Sequence, residues 1–136
     1  MAGRGPVATP NGNVLSESSA ANKKFRKELN SGTVSLVLLG TLARASEPMY
    51  GYQIARDLER NTERNTAMKQ GALYPVLRSL ERGGLLESRV EPSVSGPPRR
   101  YYRITAAGRD TLSEWQAIWE ETRALVDGVL KGNSNE

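Results

Sequence analysis

The 136-residue sequence contains no cysteine and no histidine. Without cysteine there is no disulfide, no thiolate nucleophile and no thiolate zinc site. Without histidine there is no imidazole general base and no histidine-dependent triad. A metal site would have to be built from carboxylates alone, and neither a metal nor a cofactor is expected. Long apolar runs are missing too. The longest lies near residues 34–42, where Ser35, Gly40 and Thr41 interrupt it. It falls well short of the roughly 18–20 residues of a membrane span. The first residues lack the basic-then-apolar order of a signal peptide, so a cytoplasmic protein is expected, with no membrane contact.

What is present is charge, unevenly placed. The chain holds 19 Lys and Arg against 15 Asp and Glu, a net +4. Residues 23–109 carry 16 basic and 8 acidic side chains, whereas residues 110–136 carry 2 and 6. A basic body with an acidic end suits a polyanion-binding face beside a face of another kind. Ordinary surface scatter gives the same numbers. Support for an enzyme is thin. Asp57 and Glu59, at i, i+2, point to different faces of a helix.

Residues 1–21 are rich in Gly, Pro, Ser, Asn and Thr and read as a disordered tail. A body over 22–105, a final helix over 106–131 and a short tail over 132–136 follow. Within the body, Val34, Val37, Leu38, Thr41, Leu42 and Ala45 recur at helical spacing, predicting a first helix over 22–45. Ser46-Glu47-Pro48 ends it. A second helix over 50–60 turns Ile54 and Leu58 inward, and 61–67 is a polar connector. A third helix over 68–82 carries Leu73, Val76, Leu77 and Leu80. Pro75 suits a first turn, which draws the start of that helix toward 71–72. Gly83-Gly84 supplies a left-handed end.

Residues 85–90 and 99–104 then predict two strands, joined by a loop of turn formers. Thr105 caps the last helix, with Asp110 and Glu114 toward its positive end. Leu112, Trp115, Trp119, Thr122, Val126 and Val129 follow in steps of three and four, and Ile118 and Leu125 widen that stripe.

This order predicts a mainly α fold with a small β-hairpin wing: a winged helix-turn-helix followed by a long C-terminal dimerisation helix. Such a third helix fits a major groove of double-stranded DNA. Lys69, Gln70 and Arg78 lie on or near it. Arg99 and Arg100 stand at the base of the wing, followed by Arg103, placed to neutralise phosphates. Gln70 has the chemistry to read adenine, or else faces water. On the last helix, Leu112, Trp115, Ile118, Trp119, Thr122, Val126 and Val129 form a face suited to its own copy in a homodimer, to packing on the first helix, or to both. The competing reading is a winged-helix protein–protein module that docks through its acidic final helix and never touches DNA.

Four pieces in fixed order carry a resemblance. They are Met49-Tyr50-Gly51-Tyr52-Gln53-Ile54, Gly71-Ala72-Leu73-Tyr74-Pro75-Val76-Leu77, Leu80-Glu81-Arg82-Gly83-Gly84-Leu85-Leu86, and Arg99-Arg100-Tyr101-Tyr102-Arg103-Ile104-Thr105-Ala106-Ala107-Gly108-Arg109. Together they resemble the PadR family of bacterial transcriptional regulators, in its smaller subfamily with a single C-terminal helix. The resemblance implies a homodimeric repressor that occupies a near-palindromic operator. It implies a recognition helix opening near Gly71 with Pro75 early in it, and DNA contacts from Tyr50, Tyr74, Arg99 and Arg100. Several such relatives take flat aromatic compounds at or near their final helices. That implies stacking on Trp119 with support from Trp115. Arg123 then sits beside an acidic ligand, or pairs with Glu120 or Asp127.

Overall fold

The computed structural model describes residues 12–60 and 70–132, with side chains for 19–60 and 71–132. The elements are α1 (Gly12–Arg44), β1 (Met49–Tyr50), α2 (Gly51–Glu59), α3 (Gln70–Arg82), β2 (Leu86–Glu91), β3 (Arg99–Ile104) and α4 (Ala106–Lys131). The chain divides into two compact units, Met1–Gly32 and Thr33–Glu136.

In the first unit the helix starts at Gly12, earlier than residue 22. The helix thus runs into the segment 12–21 that composition reads as part of a tail, and residues 1–11 lie outside the described residues. Composition signalled disorder because the segment offers no core. Helix propagation needs only one hydrogen bond per added residue once a nucleus exists, and Ala20-Ala21 has high helix propensity. The basic run Lys23, Lys24, Arg26 and Lys27 is exposed along this helix, and so are Phe25 and Leu29.

The second unit holds the winged helix. Val34, Leu38, Leu39 and Leu42 of α1 meet Ile54, Ala55 and Leu58 of α2 and Leu73, Leu77 and Leu80 of α3 in one buried cluster. Leu86, Tyr102 and Ile104 complete it from the sheet. Burying each such side chain contributes about 1.5–3 kcal/mol. The helical spacings read from sequence are those that meet here, with Leu39 in the centre and Val37 at the margin.

The polar connector expected over 61–67, and residues 68 and 69, lie outside the described residues. Helix α3 keeps Pro75 inside it. The residue whose carbonyl the ring crowds is Gly71, four positions back, and it is exposed. The helix closes as expected. Gly84 adopts φ 80°, its N–H donates to the Glu81 carbonyl (2.9 Å), and the Leu85 N–H donates to the Leu80 carbonyl (3.0 Å). This is the paired bonding of a Schellman end.

The sheet is antiparallel with order β1-β3-β2. Strand β1 was not foreseen. Two residues are too short to show alternation, and they become a strand only by pairing with β3, Met49 opposite Tyr102 and Tyr50 opposite Tyr101. The register Leu86↔Ile104, Ser88↔Tyr102 and Val90↔Arg100 puts alternate residues on the core side.

Thr105 caps α4 as expected. Its hydroxyl oxygen accepts from the Gly108 N–H (2.9 Å) and its O–H reaches the Gly84 carbonyl (2.7 Å). Gly108 is needed there, because a Cβ would sit 2.2 Å from the Leu85 carbonyl oxygen. The first turn of α4 holds no acidic residue. Asp110 and Glu114 lie beyond it, where the helix dipole has faded.

Candidate nucleic-acid interface

Tyr50 stands at the N-cap of α2 with extended backbone, φ −97° and ψ 164°. The Gln53 side chain folds back to accept its N–H at 3.0 Å. The extended residue sends the Tyr50 ring toward the wing. Arg99 lies over that ring, 4.5 Å from its centroid, and Tyr101 meets it edge-on at 5.3 Å. A cation over a phenol face is held without a carboxylate, so its charge stays available to an anion. Tyr52 stacks 6.4 Å from Tyr50 and carries Arg56, whose Nη1 donates to its hydroxyl at 2.8 Å. Tyr52 was not singled out from sequence. Its signal was a second tyrosine two positions after Tyr50, at a helix start.

On α3, Leu73, Leu77 and Leu80 are buried, so Gly71, Tyr74, Pro75 and Arg78 form the outward ridge. Tyr74 is 42% exposed, with the Arg78 guanidinium 5.6 Å from its ring centroid. The open space around Gly71 lets another chain approach the backbone closely. Lys69 and the side chain of Gln70 lie outside the described residues.

A groove of about 560 Å³ runs between these parts. Tyr50 and Tyr52 wall it at α2, Tyr74 at α3, and Val90, Pro97, Pro98, Arg99 and Arg100 at the wing. The wing tip is braced locally. Ser93 Oγ donates to the Ser95 carbonyl at 2.7 Å, and Gly96 takes φ 106°.

The wing arginines, alike in sequence, differ in place. Arg99 is exposed. Arg100 is half-buried, its Nη1 donating to Ser88 Oγ (3.0 Å), which in turn donates to Glu81 Oε2 (2.6 Å). Arg103 pairs with Glu87, and Arg89 with Glu91 at 2.7 Å. Arg103 thus carries a charge already met by a carboxylate. Below this layer Tyr102 is fully buried, and among the described residues its hydroxyl has no hydrogen-bond partner. Burial, with Tyr74 and Glu81 nearby, pushes its phenol up to about 12.

The stripe of α4 is split. Leu112 and Trp115 pack against the chain's own core. Ile118, Trp119, Val126 and Val129 stay exposed, Trp119 by 39% and Val129 by 70%, together with Leu125 and Leu130. Thr122 is exposed. Arg123 lies 3.6 Å from Asp127, which favours that pairing over Glu120. Among the described residues no cluster of acidic side chains could hold a metal ion, and no helix is long and apolar enough to cross a membrane.

Known proteins resemble this chain in sequence and fold. Residues 38–114 match the Transcriptional regulator PadR-like family. A transcriptional regulator of Mycobacterium tuberculosis is 38% identical over 91 residues, covering 67% of this chain and 78% of that one. The crystal structure of a PadR family transcriptional regulator from Eggerthella lenta is 31% identical with a TM-score of 0.72, covering 88% of this chain and 99% of that one. A PadR-like transcriptional regulator from Bacillus cereus gives 27% identity and a TM-score of 0.63, covering 78% and 99%. With its winged helix, its tyrosine-lined groove and a family match over more than half its length, the chain belongs to the PadR-like family of transcriptional regulators.

Proposed function

We propose that this regulator is a cytoplasmic homodimeric repressor that places α3 in the major groove of a near-palindromic operator, with the wing beside it. The observation that carries the reading is that Tyr74 of α3 and the Tyr50–Arg99 pair line one groove, with Arg78 held over the Tyr74 ring. Arg99 and Arg78 meet phosphates, Tyr50 and Tyr74 add hydroxyl contacts, and the bare backbone at Gly71 allows close approach. Gln70, the first residue of the same helix, supplies a base reader for adenine, and Lys69, the residue before it in the sequence, a phosphate contact. Two copies joined through Ile118, Trp119, Thr122, Val126 and Val129 of α4 present two such helices to two half-sites. Leu112 and Trp115 support that face from the core side. A flat aromatic effector stacking on Trp119, with Trp115 behind it and Arg123 at the edge, releases the DNA by changing how the two α4 helices pack.

The test is fluorescence anisotropy of the full chain against a duplex that it enriches from a randomised pool, with a scrambled duplex as control, over a series of salt concentrations. A repressor of this kind prefers the enriched duplex and loses affinity steeply with salt. Equal, salt-insensitive signals for both duplexes would instead favour a winged-helix module that works through another protein, for which the exposed apolar face of α4 is the docking surface.

A further inference from the structure

The two arginines of the wing base are neighbours in the sequence, yet they face opposite sides of β3. Arg99 and Tyr101 share the outer side, while Arg100 and the buried Tyr102 share the inner one. Arg100 reaches across to Ser88 on β2, and Ser88 reaches to Glu81 on α3. Three elements are thus joined by one chain of two hydrogen bonds with a charged group at each end.

We propose that Glu81, Ser88 and Arg100 are positioning residues, a strut that holds the wing at its working angle to α3 and so governs sequence-specific DNA binding. The inference rests on the DNA reading above. Hydrogen bonds to ionised groups are the stronger kind, and a half-buried setting screens them less than open surface would. The strut is placed for leverage. The loop 92–98 hangs from the ends of β2 and β3, so a small rotation at the base moves the tip much further. Ser88 sits opposite Tyr102, whose buried hydroxyl offers no competing bond.

The strut separates two effects that a basic pair would merge. Loss of the middle link by Ser88→Ala changes no charge. The enriched duplex is then bound about tenfold more weakly, while the scrambled duplex and the salt slope stay as in the wild type. Ser88→Thr keeps the hydroxyl on a side chain suited to a strand and restores binding. Glu81→Ala also weakens binding to the enriched duplex. Were Glu81 merely a negative charge near DNA, its removal would tighten binding. Arg99→Ala serves as the contrast: both duplexes weaken, and the salt slope becomes shallower by about 0.9.

All four variants are titrated as the full chain by anisotropy against both duplexes. Wild-type affinity in Ser88→Ala, or tighter binding in Glu81→Ala, overturns the strut and leaves the DNA reading standing. A wild type that enriches no duplex overturns the DNA reading, and the strut with it.

Discussion

The outward ridge of α3 and the distal half of α4 are both helical surfaces that the fold leaves open, and they differ in how their side chains are held. On α3, Tyr74 and Arg78 hold each other, and the helix rests on Leu73, Leu77 and Leu80 beneath. On α4, Ile118, Trp119, Val126 and Val129 are apolar, exposed and without comparable support below. The first surface keeps cations fixed and ready for an anion at little entropic cost. The second gains only by burial against something else, since contiguous exposed apolar side chains mark interaction sites. Exposure alone therefore says little. What matters is whether the exposed groups already have a use for their chemistry.

Three substitutions break or sharpen that contrast. Leu77→Ala removes the shelf under α3 and costs about 2–5 kcal/mol of stability, since Leu77 has no exposed surface. Its unfolding midpoint in urea falls equally at every protein concentration. Trp119→Ala removes a side chain of the open α4 face. It weakens the proposed self-association by about 2 kcal/mol, read by analytical ultracentrifugation, and leaves the urea midpoint of dilute protein unchanged. A concentration-independent loss of stability would assign Trp119 to the core instead.

Tyr102→Phe is the smallest. It deletes a buried hydroxyl with no partner, so stability at neutral pH changes by less than about 1 kcal/mol. The difference emerges in alkali. Burial pushes the folded phenol from an ordinary 10 up to about 12, so the fold favours the protonated form. Its contribution is complete below pH 10 and is lost as pH rises toward 12. The variant lacks that part of the alkaline decline, which urea midpoints measured over the same range detect.

Much of this was legible in the residue order. Periodicity alone found the inward faces of α2 and α3, and Gly83-Gly84 and Thr105 marked where one helix closes and the next begins. Tyr50, Tyr74 and Arg99, which line the groove, were named from motifs that survive as linear text. Strand β1 was hidden because its pairing partner is some fifty residues away, and two residues carry no period of their own. The start of α1 was misread because composition weighs core formation, whereas a helix already nucleated extends on propensity. Leu112 and Trp115 followed the same stripe as Trp119, yet the core of the second unit reaches only the first part of α4.

The sequence by itself determined the alternation of apolar and polar positions, the caps, the turn chemistry and the charge asymmetry, because each depends on residues within a few positions of one another. From these came the winged helix, while the family was legible as a resemblance carried by four linear motifs. Only the tertiary structure decided that Arg99 lies on a tyrosine ring while Arg100 is tied to Ser88 and Glu81, that Arg103 is matched by Glu87, and that Tyr102 is sealed in the core. Strand pairing and helix packing bring together residues far apart in the chain, and the fate of a charge depends on what stands next to it in space.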